Sequence, residues 1–208
     1  MIRITFSFLI TLLSFANIYC QQKNQEKMKQ ALIIVDVQND YFPGGRMELS
    51  GSEAAADNVK TILEYCRKSK IEVIHIQHIA TSPNSTFFLP ETDGAKINAK
   101  VAPISNEKII TKHYPNSFRE TNLLAYLHEK KITDLIVTGM MTHVCIDATV
   151  KTAKDYGFDC TVISDACATK DLDVQGNKVA AKEVQNALLG AMAFYYAELK
   201  TTADFIAH

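Results

Sequence analysis

The sequence predicts an α/β domain, a doubly wound and mainly parallel sheet with helices on both faces. Three observations carry this. Short apolar runs rich in β-branched residues recur along the chain, segments of helical period lie between them, and 47% hydrophobic with 22% charged residues is ordinary globular composition. At 208 residues the chain has about the size of one such domain.

The elements follow in order. Ala31-Leu32-Ile33-Ile34-Val35 is an unbroken apolar run closed by Asp36, which suits a strand buried on both faces. Residues 52–69 place Ala55, Val59, Ile62, Leu63 and Cys66 at helical spacing behind Ser52, a candidate cap. Residues 72–79 are β-branched and strand-like, and a long irregular stretch fills 80–107. A short third strand is expected over 108–111. A helix follows over 118–130, with Leu123, Leu124 and Leu127 on one side. The fourth strand is 133–139, the next helix 142–156, the fifth strand 158–164, the last strong helix 178–196, and 201–206 reads as a final strand.

Charge and cysteine content narrow the function classes. Lys+Arg 22 against Asp+Glu 23 gives a formal net charge of -1, so no long-range field gathers phosphate backbones or anionic lipid, and nucleic acid is not an expected partner. The first 28 residues stand apart. After Arg3 the run from Ile4 to Cys20 is uncharged and dense in Ile, Leu and Phe, and a polar stretch follows it, which is the pattern of a secretory signal. The run is marginal for a span of ~20 residues, so no stable membrane span is expected in the mature form. Cleavage after Cys20 is one outcome. Lipid attachment through Cys20 is the alternative, although Asn17-Ile18-Tyr19 lacks the small residues usual at such sites. The protein is therefore expected to be exported, periplasmic or secreted, with residues 29–208 forming the working domain. Cys66, Cys145, Cys160 and Cys167 remain, and a core of this size needs no disulfide.

Sites in parallel sheets lie beyond the carboxyl ends of the strands. Here those positions are Asp36, His78, Lys112 and the segment 139–145, which ends in Cys145. If Thr142 caps the following helix, Cys145 falls in its first turn, where free N–H groups favour a thiolate and offer donors to an oxyanion. Taken singly, Cys145 could be a small buried hydrophobe, Asp36 a loop cap and Lys112 a solvated lysine. Together they supply a nucleophile, a carboxylate to take its proton and a cation to hold that carboxylate.

Four ordered segments carry a resemblance. Asp36-Val37-Gln38-Asn39-Asp40-Tyr41-Phe42-Pro43-Gly44-Gly45, Lys112-His113-Tyr114-Pro115-Asn116-Ser117-Phe118, Gly139-Met140-Met141-Thr142-His143-Val144-Cys145 and Asp165-Ala166-Cys167-Ala168-Thr169 resemble the signature segments of the isochorismatase-like cysteine hydrolase superfamily. Nicotinamidases and carbamoylsarcosine amidohydrolase belong to it. The resemblance spans about residues 30–196 and implies a six-stranded parallel sheet and a catalytic triad of Asp36, Lys112 and Cys145. It also implies a cis peptide between Met140 and Met141, which turns the Met141 N–H toward the same point as the Cys145 N–H to form an oxyanion hole.

Two departures shape the functional expectation. Nicotinamidases carry an Asp-x-His pair and a further His after the second strand, which bind a metal. Here the region reads His75-Ile76-Gln77-His78-Ile79-Ala80, and histidines three apart on a strand point to opposite faces, so no metal or other cofactor is expected. True isochorismatases lack the cysteine, so its presence here favours amide-type hydrolysis through a Cys thioester. The form of the segments is similar to a subgroup that includes streptothricin hydrolase. Phe42, Phe87, Phe88, Tyr114, Phe118 and His143 are candidate walls of an apolar slot for a small-molecule substrate. The resemblance also implies a homo-oligomer. The alternative from another class is a non-catalytic small-molecule-binding protein that retains the fold.

Overall fold

The computed structural model describes residues 29–207. The signal segment expected over residues 1–28, with Cys20, lies outside the described residues. Six strands form one sheet: β1 (Gln30–Val35), β2 (Glu72–His78), β3 (Lys108–Lys112), β4 (Asp134–Met140), β5 (Asp159–Ala168) and β8 (Glu198–Lys200), in the order β3-β2-β1-β4-β5-β8. Every pairing in it is parallel. A two-stranded antiparallel ribbon, β6 (Leu172–Val174) with β7 (Asn177–Val179), lies apart from it.

The uninterrupted apolar run of β1 is explained by its central place. Ala31, Ile33 and Val35 face a core that includes Leu123, Leu127, Ile146, Val150, Leu189 and Met192. Leu32 and Ile34 face the other way, toward Val59, Ile62, Leu63 and Cys66. The first core lies under α2 (Leu123–Glu129), α3 (Asp147–Asp155) and α4 (Ala181–Tyr195), the second under α1 (Ser52–Lys68). Each fully buried aliphatic side chain of this kind contributes about 1.5–3 kcal/mol. A short helix, α5 (Thr202–Ile206), sets Phe205 edge-on against Tyr65 of α1 at 5.6 Å.

Several element boundaries differ from the expectation. Residues 201–206 are not a strand. Thr201 accepts from the Asp204 N–H at 3.1 Å and donates to Asp204 Oδ2 at 2.7 Å, so a capping box starts a helix there, and the sixth strand lies just upstream. The helix expected from 178 begins at Ala181, because Gln175 and Gly176, both with positive φ, turn the chain into the ribbon. The helix expected over 118–130 begins only at Leu123, since Glu120 sits at φ 55 and breaks the helical path. Phe118 therefore lies on a turn.

Strand register levels the chemistry. Val35 lies opposite Ile76 of β2 and Gly139 of β4, and His78 lies opposite Lys112. The order reverses between β1 and β4, and the crevice beyond that point is where α/β sheets hold ligands.

Candidate active site

Asp36 is the first residue beyond β1, with φ 50 in the left-handed region and its N–H donating to the Ile76 carbonyl at 3.1 Å. That turn aims its side chain into the crevice. The motif that follows is a set of ties. Gln38, fully buried, donates from Nε2 to the carbonyls of His78 at 2.8 Å and Ala95 at 2.7 Å, and accepts the His78 N–H at 2.7 Å. Asp40, also buried, accepts the Phe88 N–H at 2.6 Å and the Arg46 N–H at 3.2 Å. Gly94 packs so tightly on Asp40 that a Cβ there would meet its carboxylate at 2.1 Å.

Asp36 and Lys112 are each 0% exposed, and Lys112 Nζ stands 2.7 Å from Asp36 Oδ2. The ammonium also donates to the carbonyls of Tyr114 at 3.1 Å and Pro115 at 3.0 Å, and lies 3.3 Å from His78 Nδ1. Both Asp36 oxygens keep acceptor capacity that no well-aligned hydrogen bond uses. A buried ion pair is costly to assemble and contributes little net stability, so its presence at a strand-end crevice points to chemistry. Burial opposes the Lys112 charge, but the Asp36 and Cys145 side chains outweigh it and hold its pKa above the usual lysine value.

Cys145 is 2% exposed, and its sulfur lies within 4.8 Å of an Asp36 oxygen. The Met140–Met141 peptide is cis, and Gly139 before it has φ 123. A Cβ on Gly139 would come within 2.0 Å of the Val35 carbonyl oxygen, so only glycine lets β4 turn so close to β1. Beyond it the chain makes a π turn, Thr142–Ile146, in which the Met141 carbonyl accepts the N–H groups of Val144 at 3.1 Å and Ile146 at 3.2 Å. The α-helix proper begins at Asp147.

Two local expectations are corrected here. Met141, not Thr142, occupies the cap position, and the Thr142 hydroxyl instead donates to the Ala168 carbonyl at 3.2 Å. The Cys145 thiol is not acidified at rest. Burial pushes its pKa up, the Asp36 charge adds to that, and Lys112 only partly offsets them. At rest Cys145 is therefore a thiol beside the Asp36 side chain.

The apolar candidates separate by depth. Phe88 is fully buried and packs at a tilt 4.6 Å from Tyr41 and 5.7 Å from His78, so it backs the site. Phe42 is buried in the core on the α1 face, while Phe87 is half-buried against Phe88 at 4.9 Å. Phe118 is buried on the opposite face of the sheet, 5.4 Å from Tyr156 and 6.3 Å from Phe158. Tyr114 is half-buried with Arg119 stacked 3.6 Å over its ring, and His143 is half-buried and hydrogen-bonded to Thr169.

Tyr41, which sequence reasoning had not placed in the site, joins it, and so does His78, which had been named only as a strand-end position. Tyr41 is buried beside it, and burial followed by the nearby Cys145 and Asp36 holds its phenol proton firmly. A ring nitrogen of His78, an oxygen of Asp36 and the sulfur of Cys145 all lie within 4.8 Å of one another. Burial lowers the His78 pKa to about 4, so its ring is neutral near pH 7. These three side chains are a possible donor set for a metal ion, but they do not fit a resident cation. The Lys112 ammonium stands 2.7 Å from one donor residue and 3.3 Å from another, where a second positive charge would face it. His75 points to the other face and bonds Glu107 at 2.9 Å, as its offset from His78 predicts.

A family model described as an isochorismatase domain matches residues 30–204. An uncharacterized isochorismatase family protein of Bacillus subtilis is 43% identical over 179 residues, covering 86% of this chain and 99% of the relative. A solved structure of the isochorismatase hydrolase type from Oleispira antarctica superposes with TM-score 0.84 at 40% identity, over 88% of this chain and 99% of that one. A cysteine hydrolase from Pseudomonas syringae superposes with TM-score 0.82 at 26% identity, over 86% and 91%. Similar chains that bear named activities include streptothricin hydrolase of Streptomyces noursei, 28% identical over 81% of this chain and 58% of the relative. Nicotinamidase of Escherichia coli is 26% identical over 83% and 98%.

Proposed function

Because the chain belongs to the isochorismatase family, we propose that it is a cysteine hydrolase of small amides or related C–N bonds. In this reading Cys145 is the nucleophile, Asp36 its proton acceptor and Lys112 the cation that fixes Asp36. Asp36 takes the thiol proton and the sulfur attacks the substrate carbonyl. The oxyanion that develops is received by the N–H groups of Met141 and Cys145, and one such donor is typically worth about 10²–10³ in rate. Asp36 then gives its proton to the departing nitrogen, so the C–N bond breaks, an amine or ammonia leaves and a thioester remains. Water adds to the thioester carbonyl and passes its proton to Asp36. The C–S bond then breaks, the acid leaves and the thiolate recovers that proton.

The observation that carries this reading is the Asp36–Lys112 pair, buried to 0% exposure at 2.7 Å, with the Cys145 sulfur within 4.8 Å of an Asp36 oxygen. Half-buried Phe87, Tyr114 and His143 are the side chains this reading assigns to the substrate, with Phe88 packed behind Phe87 at 4.9 Å.

The test is a panel of primary amides and carbamoyl compounds scored by ammonia release, with acid-quenched samples weighed intact. At least one compound is expected to turn over and to leave its acyl mass on Cys145. Cys145→Ala should lower that rate by at least about 10³-fold. A Cys145→Ala protein as active as the parent would overturn the mechanism.

A further inference from the structure

Resting on the cysteine-hydrolase reading above, we propose that His78, together with Asp36, holds the water that cleaves the acyl-Cys145 intermediate. Two polar atoms up to about 4.8 Å apart can both reach one oxygen at hydrogen-bond distance, about 2.8 Å from each. The His78 nitrogen, the Asp36 oxygen and the Cys145 sulfur satisfy that spacing pairwise. A water seated between the first two lies next to the atom that carries the acyl group.

The tautomer is fixed by a neighbour. Lys112 has only donors to offer, so His78 Nδ1, at 3.3 Å from its Nζ, must accept. The ring proton then sits on Nε2, which in this proposal is the nitrogen that donates to the water oxygen and leaves the water's own hydrogens for Asp36. A His78 pKa of about 4 keeps the ring in that neutral form across the neutral pH range. His78 therefore orients the water and does not take its proton.

The ring is also held in place from two sides. Gln38 clamps both the N–H and the carbonyl of His78, and Phe88 packs against the ring at 5.7 Å. Such clamping is what a water-orienting group requires, because a loosely held one loses much of its effect. The ammonium that makes the cluster unfit for a metal ion suits it to a water oxygen that gains negative charge as it attacks.

The experiment uses the full protein and p-nitrophenyl acetate, whose acylation step releases nitrophenolate and whose deacylation needs only water. Wild type should give a burst of one equivalent per site and then a steady rate. In His78→Asn and His78→Phe the burst rate constant is expected to stay within about threefold of wild type. The steady rate should fall about 10–100-fold, and acetyl-Cys145 should accumulate by intact mass. Hydroxylamine, a strong nucleophile that needs no positioning, should restore turnover in both variants. If burst and steady rate fall together in both, or if neither changes, His78 is structural and the proposal is wrong. Failure of the underlying reading looks different: wild type itself then shows no burst and no adduct on Cys145, and the water proposal falls with it.

Discussion

At Asp36 the backbone and the chemistry make separate demands, and they can be tested separately. Its φ of 50 is a left-handed value that asparagine tolerates as well as aspartate, so Asp36→Asn keeps the turn while removing the charge. In the resting site burial and then that charge hold the Cys145 proton, while Lys112 opposes them. Removing the charge leaves the ammonium alone with the sulfur, so the thiol pKa falls and the thiolate fraction rises about tenfold per unit. Asp36→Asn should thus label faster with iodoacetamide at Cys145 near pH 7.5 than wild type, while amide hydrolysis is lost because nothing shuttles the proton. Slower labelling would contradict the assigned electrostatics. Cys66, Cys160 and Cys167 should stay silent, since burial pushes each up to about 12. Asp36, Lys112 and Cys145 were legible before any coordinates, because strand ends converge and a charge closing an apolar run is conspicuous. The parts of Tyr41 and His78 were not, because each depends on which neighbour buries it, and hydropathy carries no trace of a ring nitrogen 3.3 Å from a lysine.

At the scale of elements, the strands of the sheet centre were readable because burial on both faces leaves unbroken apolar runs. The helix starts were harder. Thr201 and Asp204 form a capping box that is present in the sequence, yet the β-branched pair Thr201-Thr202 reads equally as strand. The π turn before α3 has no sequence signature, since it is set by how β4 must leave the sheet beside β1 and β5. That exit depends on Gly139. A side chain there would need φ 123 and would collide with Val35 backbone atoms, which cannot yield as a flexible side chain would. Gly139→Ala should therefore cost at least about 2–3 kcal/mol and lower the thermal midpoint by several degrees. Activity in the surviving folded fraction should drop as well, because Met141 and Cys145 hang from the same turn. An alanine variant with unchanged melting would show that β4 can leave the sheet by another path.

Across the whole molecule, His78 in the site and a buried cluster on the α1 face together set how the fold responds to acid. On the α1 face, Glu107 accepts from Arg67 Nε at 2.7 Å, Arg67 Nη2 at 2.9 Å and the Ile104 N–H at 3.0 Å, and it faces His75 Nε2 at 2.9 Å. Burial would raise the Glu107 pKa, but these bonds, led by Arg67, outweigh it and bring it down to about 2. His75 is lowered by burial against the pull of Glu107, and His78 is lowered by burial to about 4. For all three the unfolded chain binds protons more readily than the fold. The His78 contribution is therefore complete above the unfolded value of 6.5 and is lost as pH falls from there toward about 4, and the His75 contribution is likewise lost below 6.5. The Glu107 contribution is lost lower down, between 4.5 and about 2. The midpoint of thermal unfolding should accordingly be flat from pH 8 to about 6.5 and start to fall below it, earlier than carboxylates alone would give. His75→Gln removes one of the two imidazoles responsible. It should be less stable than wild type at pH 7.5, where the Glu107 bond is weakened, but should show a shallower decline below pH 6.5. A variant whose curve stays parallel to wild type through that window would mean that His75 takes up its proton as readily in the fold as outside it.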